Sequence, residues 1–375
     1  MEDTRLNIIG LSRAELESLF LKMGEKSFRA KQLWGWIYAK GENDFAAMSN
    51  IARPLQEKLA ASYKIERPKI VRQLDSVDGT RKWLFEFADG NQAESVYIPD
   101  MEEDGGAVCL SSQVGCTLTC QFCHTGTQTL VRDLTAGEIV GQFMAARDSY
   151  RDWPQFNGND RLLTNVVLMG MGEPLFNYDN VLKALKILMD EEGMAVSKRK
   201  ITLSTAGVVP MIKLLGEDAG VNLAISLHAT NNELRSRLMP INKKYPLEEL
   251  LAACRDYQTL SNSRRITFAY ILIKDVNDRI ADAKELVRLV HGIPAKFNLI
   301  PFNHWPDSSF ECSTPEKVQR FAEILRNAGY PAPVRQPRGQ DIMAACGQLR
   351  SDSQREKLSR HRARLAAGIE DESED

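Results

Sequence analysis

The stretch GAVCLSSQVGCTLTCQFCHTG, residues 106–126, holds four of the seven cysteines of this 375-residue chain. Three of them, Cys116, Cys120 and Cys123, have the spacing C-x3-C-x2-C, and Cys109 lies upstream of them. The first residues, MEDTRLNIIG, lack the basic and apolar regions of a signal peptide, so we expect a cytoplasmic protein with reduced thiols. In that compartment, clustered cysteines indicate metal binding or catalysis rather than structural disulfides.

Three cysteines at this spacing are suited to three corners of a cubane [4Fe–4S] cluster. Ferredoxin-type clusters normally have a fourth cysteine, so a three-cysteine motif favours a cluster whose fourth iron is open to a substrate. One alternative is a structural zinc site with His124 as the fourth ligand, and another is a set of buried, inert thiols. His124 directly follows Cys123, and adjacent residues seldom reach the same tetrahedral ion. The cluster is therefore the favoured prediction.

Beyond the motif, short apolar runs alternate with helical patterns. This alternation predicts parallel β/α units and places the protein in the α/β class. Polar residues follow several of the strands, at the rim where β/α barrels bind ligands. The predicted strands are 162–170, 200–207, 221–229, 266–273 and 295–302, and the predicted helices include 180–191, 246–257 and 280–290.

The remaining segments indicate smaller units on both sides of this core. Residues 1–67 are predicted to form a small helical accessory domain. Its first helix begins with a capping box of Ser12 and Glu15. In residues 68–101, apolar and polar side chains alternate as they do in strands, so this segment is predicted to form a β-rich adapter. The core spans residues 102–350, and a basic helix with an acidic end fills 351–375.

Composition excludes little about the partners of the protein. The formal net charge is −2, which argues neither for nor against nucleic acid because local patches matter more than the total. No stretch approaches 18 uncharged apolar residues, so we expect no membrane span. The basic face of the N-terminal domain is either simply solvated or a contact for nucleic acid.

Several ordered motifs between residues 96 and 350 resemble a known family. They match the radical S-adenosylmethionine (SAM) enzymes that methylate C2 of adenine in 23S rRNA and tRNA, the RlmN family, whose near relatives, the Cfr enzymes, methylate C8. Phe122 also occupies the aromatic position typical of the radical SAM cluster loop. The motifs are VYIP, CLSSQVGC, GMGEPL, LSTAGVVP, ISLHA, IPFN and DIMAACGQLR.

This resemblance implies a fold and a set of cofactors. The core is expected to be a partial (β/α)6 radical SAM barrel, and Cys116, Cys120 and Cys123 are expected to hold one [4Fe–4S] cluster with an open iron. Two SAM molecules would be consumed in each turnover. The expected SAM ligands are the strand-end residues Gly172, Glu173, Ser204, Ser226, Leu227, His228 and Asn303.

The resemblance also assigns catalytic roles to three residues outside the cluster. Cys346 would carry a methyl group, and a 5′-deoxyadenosyl radical would activate that group to form a covalent protein–RNA adduct. Glu94 would accept the C2 proton, and Cys109 would release the product through a transient disulfide with Cys346. Without the resemblance, both cysteines would be expected to be small buried hydrophobic residues, and Glu94 a solvated strand residue.

The expected substrates are an adenosine in the peptidyl transferase centre of 23S rRNA and the adenosine 3′ of the anticodon in some tRNAs. Basic residues of the N-terminal domain and of Arg355–Arg364 are candidates for phosphate contacts. We expect a monomer that is served by an electron donor such as flavodoxin or ferredoxin. Two alternatives remain: methylation at C8, and a non-catalytic, metal-stabilised RNA-binding protein.

Overall fold

A computed structural model of the chain describes residues 3–101, 105–154, 160–257 and 265–351. The predicted basic segment Arg355–Arg364 and the rest of the tail beyond residue 351 lie outside the described residues, as do residues 102–104 of the acidic loop.

The N-terminal region contains the helices α1 (Arg13–Lys22), α2 (Phe28–Trp34) and α3 (Arg53–Ser62). The predicted capping box is present at the start of α1, where Ser12 Oγ accepts from the Glu15 N–H and the Glu15 carboxylate accepts from the Ser12 N–H. A short parallel pair, β1 (Leu6–Asn7) with β2 (Tyr63–Lys64), was not predicted. Strands of two residues are too short to show an alternating pattern.

The adapter forms three antiparallel strands: β3 (Lys69–Asp75), β4 (Arg81–Glu86) and β5 (Gln92–Pro99). Gly79 and Gly90 lie in its two turns with φ of 82° and 75°, a conformation that favours glycine. Strand β5 also pairs, antiparallel, with the next strand, β6 (Gly106–Cys109). The adapter is therefore continuous with the main sheet, and the predicted boundary at residue 101 falls between two neighbouring strands.

The main sheet has nine strands in the order β13-β12-β11-β10-β9-β6-β5-β4-β3. The six strands at one side of this order, β13, β12, β11, β10, β9 and β6, run parallel to one another. The five predicted strands agree with the observed ones to within three residues at either end. A separate antiparallel pair, β7 (Gln113–Val114) and β8 (Arg132–Asp133), flanks the cysteine motif. The remaining parallel strands are β9 (Leu163–Leu168), β10 (Ile201–Thr205), β11 (Asn222–Ser226), β12 (Ile266–Leu272) and β13 (Ala295–Pro301).

Helices cover the outer face of the parallel strands and complete the core. Phe268 and Phe297 on neighbouring strands and Phe321 on the last helix are fully buried together with many aliphatic residues. None of the described helices combines the length and apolarity needed to cross a bilayer. The helices of the core are α4 (Ala136–Tyr150), α5 (Tyr178–Met189), α6 (Val209–Asp218), α7 (Asn232–Leu238), α8 (Leu247–Arg255), α9 (Ile280–Leu289) and α10 (Pro315–Asn327).

Candidate active site

A cavity opens at the carboxyl ends of the parallel strands, on the inner face of the curved sheet. Cys116, Cys120 and Cys123 line it, and Cys346 lies on the same wall. Two residues expected to bind SAM, Leu227 and Asn303, do not line the cavity. The expected SAM ligands that do line it are Gly172, Glu173, Ser204, Ser226 and His228.

The three motif cysteines lie together at the cavity. All three are partly exposed free thiols on the cavity wall. The charges of Cys123 and Cys116 both act on the Cys120 thiol, so the three sulfur atoms lie near one another. A cubane takes one thiolate at each of three separate irons, so its ligands need not converge on one point. The cysteines present therefore fit a [4Fe–4S] cluster.

His124 is not placed as a fourth metal ligand, which removes the basis of the zinc alternative. Its Nδ1 lies 3.3 Å from the Gln348 carbonyl, and its Nε2 lies 3.1 Å from Nη1 of Arg350. The imidazole also stacks on Trp305, with ring centroids 4.9 Å apart and planes 7° from parallel. Both ring nitrogens thus have protein partners, and the ring is held against the segment around Cys346.

Glu173 follows β9 and presents a buried carboxylate at the cavity. Its Oε2 accepts from the Ala206 N–H at 2.7 Å, and its Oε1 accepts from the Leu175 N–H at 3.1 Å. Burial raises the pKa of this carboxyl to about 7, and the two N–H donors act in the opposite direction. A cationic ligand beside it would favour the charged form, so the site is suited to an ammonium group.

His228 is held in one orientation as a neutral ring. It has a left-handed φ of 58°, and its Nδ1 accepts from the Ile271 N–H at 3.0 Å. Burial lowers its pKa to about 3, so Nε2 carries the proton at neutral pH. The ring also meets Phe122 edge-on at 4.6 Å. His228 therefore offers one N–H donor beside the aromatic residue of the cysteine motif.

Arg235, on α7, was not anticipated from the sequence and joins the ends of two strands behind this rim. Its side chain is fully buried, and burial lowers its pKa to about 10. A charged donor group that satisfies several carbonyl oxygens at once stabilises the loops that carry them. It donates to the carbonyl oxygens of Ala206 (2.7 Å), Ser226 (3.0 Å) and Leu227 (3.1 Å) and to Asn242 Oδ1 (2.9 Å).

We expect Arg235→Met to weaken both stability and SAM binding, because it leaves several buried acceptors without a donor. The loss of unfolding free energy should be roughly 3 kcal/mol or more. Thermal unfolding and calorimetric titration of the cluster-loaded protein with SAM measure the two effects. Arg237→Met, on the exposed face of the same helix, is the matched control and should behave as the unmodified protein. Equal behaviour of the two variants would contradict this role for Arg235.

Residues 339–351, here called the Cys346 strap, bring Cys346 and Gly347 to the wall of the cavity. Cys346 is exposed on this strap, whereas its neighbours Ala344 and Ala345 are buried. Asn303, expected to bind SAM, instead contacts the strap. The strap is held by bonds from Asn303 Nδ2 to Cys346 O (3.2 Å), His124 N to Gly347 O (2.7 Å), Thr125 Oγ1 to Leu349 O (2.6 Å) and Ser351 Oγ to Gln92 O (2.7 Å).

Cys109 lies at the end of β6 and is 7% exposed. Burial is the main cause that raises its pKa to about 12, and the nearby Cys346 adds to the rise. Residues paired across a sheet share a face, and Cys109 pairs with Val96, which pairs in turn with Lys82. Glu94 lies two residues from Val96 and therefore on that same face. The pairing thus brings Cys109, Glu94 and Lys82 together beneath the strap.

Glu94 is buried, and both of its carboxylate oxygens have partners. Oε1 is 2.9 Å from the Lys82 ammonium, and Oε2 accepts from the Arg350 N–H at 2.9 Å. Burial raises the pKa of Glu94, and Lys82 opposes that rise. The carboxylate therefore connects β4 to the strap four residues beyond Cys346.

Lys82 is a second residue of the site that was not anticipated, although the sequence contains a signal for it. A hairpin turning at Asp89-Gly90 places Lys82 diagonally opposite Glu94, within reach of a long side chain. Arg235 carries a similar signal, since it precedes the buried Leu238 by three residues on the same helix face.

Comparison with known proteins gives concordant results. Residues 6–65 match the ribosomal RNA large subunit methyltransferase N-terminal domain, and residues 110–290 match the radical SAM superfamily. A Rhodospirillum rubrum protein called "Dual-specificity RNA methyltransferase RlmN" is 63% identical, over 98% of this chain and 85% of the relative. The protein of the same name from Paramagnetospirillum magneticum is 60% identical, over 99% and 82%.

A solved structure supports the same assignment. The crystal structure of a radical SAM methyltransferase from Sphaerobacter thermophilus superposes with a TM-score of 0.85 at 44% identity, covering 92% of this chain and all of that one. The expected α/β radical SAM fold is therefore confirmed, here with a mixed nine-stranded sheet. By fold and by sequence, the chain belongs to the RlmN family of radical SAM RNA methyltransferases.

Proposed function

We propose that this enzyme methylates C2 of an adenosine in 23S rRNA and of the adenosine 3′ of the anticodon in some tRNAs, using Cys346 as the methyl carrier. The main support is the meeting of Cys346, Cys109 and Glu94 beside a cavity that also holds the three motif cysteines. The names of the relatives, which describe a dual-specificity RNA methyltransferase, support the two substrate classes.

The chemistry explains why a carrier is needed. Adenine C2 lies between two ring nitrogens and is electron-poor, so it does not displace the methyl group of SAM as an amine would. When bound, the cluster and SAM supply a one-electron route to a carbon radical that removes a hydrogen atom from a methyl group. Cys346, exposed on the cavity wall, is placed to present a sulfur-bound methyl group to that chemistry and then to the base.

Glu94 and Cys109 then serve the release of the product. After Cys346 is joined to C2 through the methylene carbon, Glu94 accepts the C2 proton. The one electron left unpaired by the radical addition would return to the cluster. The sulfur of Cys109 then bonds to the sulfur of Cys346, the carbon–sulfur bond breaks with its electron pair on the methylene carbon, and that carbon takes up a proton to become the methyl group. The two cysteines are left as a disulfide. Because burial holds Cys109 as a neutral thiol, its proton leaves only during this step. The rim residues Glu173 and His228 hold the ammonium and polar groups of SAM.

The proposal also covers stoichiometry and partners. Two SAM molecules are consumed per methyl group delivered, one for Cys346 and one for the radical step, and a flavodoxin or ferredoxin supplies the electron. Exposed lysines of the N-terminal domain such as Lys22 and Lys26 contact RNA phosphates. The target base is turned out of any stack to reach Cys346.

Mass spectrometry of digested RNA tests the position of methylation. Unmethylated 23S rRNA and tRNA incubated with reconstituted enzyme, SAM and reductant should yield 2-methyladenosine. We expect this position rather than C8 because the motifs of the chain are those of the C2-methylating RlmN family. A product of 8-methyladenosine would contradict the proposal in favour of C8 chemistry. Absence of any methylated base from cluster-loaded enzyme that cleaves SAM would contradict the RNA substrate.

A further inference from the structure

Lys82 occupies an unusual place for a lysine. Its side chain is 9% exposed, and the strand that carries it lies two strands away from the barrel's first parallel strand. Its ammonium group contacts Oε1 of Glu94 at 2.9 Å and donates to the Met343 carbonyl at 3.1 Å. Lysines are rarely buried without a paired acceptor, so this position is built around the two contacts.

The two contacts join the base to the methyl carrier. Met343 and Arg350 belong to the Cys346 strap on either side of Cys346, and Glu94 binds the backbone N–H of Arg350. Lys82 therefore fixes Glu94 directly, and fixes the strap both through Met343 and through Glu94. A displacement of Lys82 would move the carboxylate and the Cys346 segment relative to each other.

We propose that Lys82 is a positioning residue for release of the methylated base: it holds the Glu94 carboxylate in register with Cys346. This inference rests on the proton-accepting role proposed for Glu94. In the step concerned, the C2–H bond breaks and the proton passes to a carboxylate oxygen of Glu94. The carboxylate loses its negative charge in this step, so its attraction to the Lys82 side chain weakens until the proton passes to water after the product leaves.

The direction of the pH effect follows from the charges around Glu94. Burial raises its pKa, and the opposing groups are Lys82 on β4, the Arg350 N–H on the strap and Arg72 on β3. Across the strap, the Arg350 guanidinium contacts His124 of the cysteine motif. Removing Lys82 takes away the largest opposing charge, so the pKa of Glu94 rises further. Because only ionised Glu94 accepts a proton, the rate of product release in a variant without Lys82 should reach its plateau at a higher pH.

Single-turnover methyl transfer from methylated enzyme to RNA, measured across pH, tests the inference with Lys82→Met. At pH 7 we expect a loss of roughly 10- to 100-fold, with recovery at high pH, since each unit of pKa rise lowers the ionised fraction about tenfold. Methylation of Cys346 without RNA should be retained, because Glu94 has no part in it and the bonds from Asn303, His124 and Thr125 still hold the strap at the cavity. Lys82→Arg should restore most of the rate.

Asp341→Asn is the matched control for a purely structural effect. Asp341 fastens the start of the strap, two residues before Met343, by accepting from Ser76 Oγ at 2.6 Å, and it is not one of the two partners of the Glu94 carboxylate. We expect this variant to leave the pH midpoint in place. An unshifted profile in Lys82→Met, or failure of that variant to methylate Cys346, overturns the inference. Normal release by Glu94→Ala would instead overturn the proposed role of Glu94, which keeps the two failures apart.

Discussion

Replacement of Cys116, Cys120 or Cys123 by Ala is expected to abolish cluster binding and RNA methylation together. Each thiolate would be the sole protein ligand of one iron, so loss of any one leaves a second iron open and the cluster unstable. His124 gives no substitute ligand, because both of its ring nitrogens have protein partners. After anaerobic reconstitution, iron and sulfide analysis should find about four of each in the unmodified protein and almost none in the variants.

Two other cysteines serve as controls for this experiment. Cys254 is buried on α8 among apolar residues, and Cys312 is exposed. Cys312→Ala should keep the cluster and full activity, and Cys254→Ala should keep both at a stability cost of about 1 kcal/mol. Tightly bound zinc in protein purified without oxygen would contradict the cluster assignment. So would a full iron content in any of the three motif variants.

Five of the six parallel strands, β9 to β13, were predictable because each is an apolar run long enough to be recognised locally. The position of the adapter was not, because a hairpin pattern describes pairing within the segment 68–101 and says nothing about the pairing of β5 with β6. That long-range pairing is the step that brings Glu94 and Cys109 onto one face of the sheet. Its short partner strand, Gly106–Cys109, carries no distinct periodic signal of its own.

Some residues of the candidate site were likewise predictable from the sequence, and others were not. Residues at strand ends, such as Glu173 and His228, were predictable because parallel strands place their carboxyl ends at one rim. Asn303 also follows a strand, but its side chain turns to the Cys346 carbonyl, a contact that depends on where residues 339–351 reach the cavity. Lys82 and Arg235 resemble surface charges in the sequence, since burial of a charged residue depends on its tertiary partners.

The two cysteines outside the motif should give opposite results when each is replaced. Cys346→Ala removes the methyl carrier, so this variant should take up no methyl group and form no RNA adduct. Cys109→Ala retains the carrier and the three motif cysteines, but it lacks the thiol that frees the product. It should therefore accumulate a covalent protein–RNA species through Cys346, with multiple turnover reduced to background. A denaturing gel shows this species as a nuclease-sensitive band shift.

The different burial of the two thiols explains why their replacements should give different results. Cys109 is buried with a pKa raised to about 12, so it is protonated and inert before the adduct forms beside it, whereas Cys346 is exposed at the cavity. Peptide mapping of Cys109→Ala isolated without added RNA should find methyl mass on the peptide that contains Ala345, Cys346 and Gly347. A matched Cys109→Ser variant should also trap the adduct, because a hydroxyl fills the site without forming a disulfide. Continued turnover by Cys109→Ala without an adduct would make Cys109 a packing residue and would refute the disulfide step.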